Sequence, residues 1–175
     1  MKTSHALLLL LLAVSPVSAQ SALPPNLLED WERNQATVLA YIEAMPDSAV
    51  AYRPTPGVRS FAEQFEHIAA TNLEVAAVAL RHLDQPPVVG DHDQYLASKS
   101  ALRAFAASTY AYMLAALRDA TPEDLAKPIV MYGQPPQPAV RIVGLSLEHS
   151  VWTLGQVIPY LRLNGVTPPA YSMPF

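Results

Sequence analysis

The stretch LEHSVWTLGQVIPYLRLNGVTPP (residues 147–169) carries one histidine where a pair would make a metal site. On a helix, two histidines four residues apart share a face and can close on one ion. His149 is followed at that spacing by Thr153. Beyond the N-terminal segment the other histidines are His67, His82 and His92, and the chain has no cysteine. That removes disulfides, thiolate ligands and a cysteine nucleophile together. No G-x-S-x-G elbow, P-loop or H-E-x-x-H occurs. The carboxylate pairs Glu29/Asp30 and Glu123/Asp124 fall at expected helix starts, where they complement the macrodipole. Trp31 and Trp152 read as core or interface residues rather than a ligand cage.

Side chains from facing helices of a bundle can converge on one site, so His67 and His149 form a candidate ligand pair despite their separation. Simpler readings compete with it. Periodicity sets His67 away from its helix's apolar stripe, among Glu63, Gln64, Thr71 and Glu74, as a partly exposed histidine. His149, among Ser146, Trp152, Thr153 and Gln156, also suits a hydrogen-bonded interfacial histidine. His82 and His92 flank a loop and read as surface residues. Glu63, one turn before His67, is the carboxylate best placed to act as an added ligand or a base. Glu148 points about 100° away from His149.

Four periodic segments must position these residues. The first, residues 26–45, repeats Leu27, Trp31, Gln35, Val38, Ile42 and Met45 at helical steps. The second opens with a Ser60/Glu63 capping box and carries Phe61, Phe65, Ile68, Val75, Ala79 and Leu83 in one arc, with Asn72 inside it. The third spans about 95–119, with Leu102, Phe105, Thr109, Tyr112, Met113, Ala116 and Leu117 on one side. Thr121-Pro122 then marks a short helical turn, and a proline-dense loop with an extended piece at 129–132 follows. The fourth, residues 140–164, ends at Asn164-Gly165 and contains Pro159, which is expected to kink its last turns. The pattern predicts an all-α four-helix bundle with long Pro-rich connections.

The opening residues, with Lys2, an apolar run over 6–14 and Val17-Ser18-Ala19, read as a signal peptide over 1–19 and a bundle domain over 20–175. The expected product is exported, periplasmic or extracellular, with no membrane anchor after cleavage. Losing Lys2 moves the formal charge from −4 to −5. An acidic chain without a basic stripe argues against nucleic acid as partner.

Two segments, YRPTPGVRSFAEQFEHIAATN (52–72) and EHSVWTLGQVIPYLRLNGVTPP (148–169), together resemble the DinB-like (DinB/YfiT-like) metalloenzyme family of four-helix bundles. The resemblance implies a histidine triad holding a divalent ion such as zinc or nickel. Carried over, it assigns His67 and His149 as two ligands and sets Thr153 at the third position. The activity it implies is metal-assisted hydrolysis or transfer of a small group involving a thiol. The competing reading is a metal-free small-molecule-binding or interaction bundle with a pocket lined by His67, His149, Trp152, Thr153, Gln156 and Tyr160. A leftover apolar helix face would further favour a homodimer.

Overall fold

The computed structural model describes residues 23–171, so the expected export segment lies outside the described residues. Four long helices make the bundle: α1 (Leu27–Ala44), α2 (Phe61–Val75), α4 (Lys99–Asp119) and α6 (Ala139–Leu163). Short helices α3 (His92–Ala97) and α5 (Pro122–Ala126) and a two-stranded hairpin, β1 (Pro128–Ile129) with β2 (Gln137–Pro138), fill the connections. Each long helix packs on two others, so α4 and α6 both flank α1 and α2, which face each other across a diagonal. No helix among the described residues is long and apolar enough to cross a membrane.

The apolar stripes meet in one core around Trp31, Phe61, Phe65, Ile68, Leu102, Met113 and Leu161, all essentially inaccessible. Polar residues cross this core as a layer to which every long helix contributes. Tyr110 on α4 donates to Asn34 on α1, while Ser146 and Ser150 on α6 donate to Asn72 Oδ1 on α2 at 2.8 and 3.1 Å. Buried polar groups of this kind tie helices at one register, because a slip would leave them unpaired.

Helix α2 begins where its four orphan amides all find acceptors. Phe61 and Ala62 donate to the carbonyls of Tyr52 and Val50 in the proline-rich connection. Glu63 N donates to Ser60 Oγ at 3.2 Å, Gln64 N donates to the Ser60 carbonyl, and the Glu63 carboxylate accepts from Ser60 N at 2.6 Å. The connection is thus fastened to the helix it precedes. At the far end of α6, Val166 N donates to Leu161 O and Gly165 N to Arg162 O, with Gly165 at φ 73°, a Schellman close.

The structure departs from the periodic reading in two places. The third segment is two helices, because Ser98 is extended and caps α4 through Ala101 N. Tyr95 then reaches the core from α3 by stacking on Phe105, with centroids 4.1 Å apart. Second, α2 passes into a π turn at Ala76–Leu80 and stops, which leaves Leu83 44% exposed instead of in the core. Helix α6 runs through Pro159 to Leu163, the extent its sequence pattern predicts.

Ser60→Ala removes the hydroxyl of the α2 capping box. It is expected to lower the unfolding free energy by about 1 kcal/mol, read as a reduced urea midpoint at unchanged helical circular dichroism.

Candidate functional site

Helices α2 and α6 run antiparallel and are tied on both sides of the two histidines. On one side the Tyr160 hydroxyl donates to the Arg59 carbonyl at 2.8 Å and accepts from Gln64 Nε2 at 3.3 Å. On the other, Asn72 takes both serines of α6. His67 and His149 lie between these ties and meet, with Nε2 atoms 3.0 Å apart and rings nearly perpendicular. Thr153 Oγ1, itself buried, stands 3.4 Å from His149 Nε2.

A 3.0 Å contact between two ring nitrogens requires one N–H and one lone pair, so the rings share a proton between them. Both pKa values lie below the ordinary 6.5, chiefly because burial penalises the charged form. The positive charge of Arg59 pushes both further down, and His149 adds a smaller effect on His67. The pair is therefore neutral at pH 7. Nδ1 of His149 is buried without a hydrogen-bond partner. The lone pairs open to a cation are those of the two imidazoles and the Thr153 hydroxyl, and no group of three or more His, Cys, Asp and Glu residues converges among the described residues.

The other expected residues scatter. Glu63 is committed to Ser60 and to Arg53, whose guanidinium lies 2.8 Å away and is the main cause holding its carboxyl below the usual range. Tyr160 is buried as the tie just described, Gln156 is exposed, and Trp152 is 70% exposed over a separate shallow depression with Gly144, Leu147 and Val151. His82 bonds Asp124 at 3.0 Å, and His92 stands exposed beside Glu66 and Asp93.

A cavity of about 570 Å³ opens from the histidine pair in the opposite direction along α6. Its walls are His67, Thr71, Glu74 and Val75 of α2 and Ile142, Leu145, Ser146 and His149 of α6. The hairpin covers it with Ile129, Met131, Tyr132, Gln134, Pro135 and Gln137. Tyr132, left-handed at φ 53°, donates to Glu74 Oε2 at 2.9 Å and fastens the hairpin to α2. Periodicity places Thr71 and Glu74 beside His67, while the sequence shows the covering segment only as a proline-dense loop with an extended piece at 129–132.

An antiparallel arrangement of four long helices, with a histidine of α2 meeting a histidine of α6 across their seam, defines the class as a four-helix bundle. The DinB superfamily description matches residues 30–170, and the chain belongs to that superfamily. A DinB-like protein from Bacillus cereus has a similar crystal structure, with TM-score 0.70 and 16% identity over 87% of this chain and 100% of the other. Another from Bacillus subtilis, YjoA, gives TM-score 0.65 and 17% identity over 86% and 96%. At these identities the likeness establishes the fold. No curated protein matches the sequence.

Histidines kept below 6.5 in the fold bind fewer protons than in the unfolded chain, so their contribution to stability is present above pH 6.5 and lost as pH falls through their folded values. Stability is expected to decline on acidification below about pH 7. A His67→Gln/His149→Gln double variant should lose that part of the decline in urea titrations run between pH 7.5 and 5.

Proposed function

We propose that this protein binds a small, largely apolar molecule in the cavity between α2, α6 and the hairpin, with the neutral His67–His149 pair as its hydrogen-bonding wall. The observation that carries this reading is the cavity itself, about 570 Å³ with both histidines on its surface. Volumes of a few hundred Å³ with apolar walls and a few convergent polar groups are typical of ligand sites. Because the rings share one proton, one of them can accept a proton from a ligand while the other stabilises the charge through the Nε2 contact.

A zinc or nickel ion, which the resemblance to the DinB-like family implies, does not fit these residues as a three-ligand site. Two imidazoles and a neutral hydroxyl are a weak donor set. Both Nε2 lone pairs become available only if both protons move to Nδ1, and Nδ1 of His149 is buried with no acceptor. Metal-bound histidines ordinarily donate that proton to a neighbour. Glu63, which would have to complete the set, is held by Arg53 and Ser60.

A neutral solvatochromic naphthalene dye tests the cavity. The full chain is expected to take it up saturably with blue-shifted emission. Leu145→Trp, at the cavity wall, should abolish uptake, while Val151→Trp, in the separate depression beside Trp152, should not. Equal uptake by both variants would put the dye elsewhere and sink the reading.

Equilibrium dialysis tests the donor set. Zinc or nickel at micromolar concentration is expected to bind below one equivalent. Thr153→His, which adds an imidazole beside the existing pair, should raise affinity at least about tenfold. Tight stoichiometric binding by the unaltered chain would contradict the metal-free reading.

A further inference from the structure

The charge on the cavity wall selects among ligands. Of the fourteen residues that line it, Glu74 is the one Asp, Glu, Lys or Arg. Arg59, the cation whose field reaches the histidine pair, is not part of the wall. The remaining surface is aliphatic (Val75, Ile129, Ile142, Leu145), with neutral amides and hydroxyls at its edge.

Glu74 is also oriented. Tyr132 donates to its Oε2 at 2.9 Å from the covering hairpin, and no side-chain hydrogen bond among the described residues occupies Oε1. A phenol is protonated at physiological pH, so Tyr132 stays a donor to Glu74. An anion entering here would meet an unbalanced carboxylate, whereas an ammonium would gain a charge-assisted hydrogen bond.

We infer that the cavity is selective for an amine: a molecule with an apolar body whose ammonium group bonds Glu74 between α2 and the hairpin. This rests on the ligand-binding reading above and narrows it to a chemical class. Glu74 is then the specificity residue, and Tyr132 is a positioning residue that holds the carboxylate and the hairpin together.

The probes are 4-phenylbutylamine, 4-phenylbutanol and 4-phenylbutyrate, which share a body and differ in the head group. Binding to the full chain is measured by isothermal titration calorimetry at pH 7. The amine is expected to bind about tenfold or more tightly than the alcohol, with the carboxylate weakest. Glu74→Gln should bring the amine down to the level of the alcohol, and an unchanged helical circular dichroism spectrum and urea midpoint show that the variant is folded. An alcohol that binds as well as the amine would overturn the amine selectivity and leave the cavity reading standing. So would a preference for the amine that survives Glu74→Gln. Failure of all three to bind would overturn both.

Discussion

The antiparallel seam between α2 and α6 is the constraint on which the rest of the structure depends. It is held at one end by the Tyr160 hydroxyl between Gln64 and the Arg59 carbonyl, and at the other by Asn72 between Ser146 and Ser150. These are buried hydrogen bonds, each contributing only about 1 kcal/mol net, but costly when broken on one side. A one-turn slip of α6 would strand Asn72 in the core and carry Tyr160 off the start of α2. The register that results is what brings His67 to His149. Gln64 Oε1, Asn72 Nδ2 and His149 Nδ1, three of the four buried side-chain polar atoms without partners among the described residues, lie along this same seam. Polarity is concentrated there beyond what packing alone would tolerate, which is consistent with a seam whose geometry matters more than its stability.

Much of the fold was legible because its signals are local. The Ser60/Glu63 box and the Asn164-Gly165 close set two helix ends within a residue, and the apolar stripes of the four long segments went to the core. What was not legible depended on neighbours. The apolar spacing runs on across Ser98, since Tyr95 and Leu102 are both buried, so periodicity saw one helix where the backbone turns. Leu83 fits the arc of α2, but the π turn and the His82–Asp124 bond carry the chain out of the core before it. His67, Thr71 and Glu74 lie on the polar side of α2, and they line a cavity because a proline-dense hairpin covers that side. No period in α2 can report a lid that comes from elsewhere in the chain.

Of the pocket expected around His149, the structure brings His67 and Thr153 to it. Trp152, Gln156 and Tyr160 follow His149 at helical spacing but do not join them. The cavity runs the other way, through Ser146, Leu145 and Ile142. The hairpin enters α6 directly at Ala139 and so covers the turns that precede His149. On the far side the seam is closed by the Tyr160 tie, and the outward turns carry Trp152 and Gln156 into solvent.

Thr153 shows how fold and donor set are separable in this bundle. It is buried, and its hydroxyl lies within hydrogen-bonding reach of His149 Nε2, so the seam closes over it without an orphaned oxygen. None of the ties that fix the register, Tyr160, Gln64, Asn72, Ser146 or Ser150, is part of the donor set. A third imidazole at position 153 would therefore add to the local chemistry without being needed for the packing. With a hydroxyl there, the two half-buried imidazoles lie close enough to share a proton. Such a pair can donate at one nitrogen and accept at another, the property of a polar wall in an otherwise apolar cavity. The family fold and a metal-free site are thus compatible in physical terms, because different residues carry each.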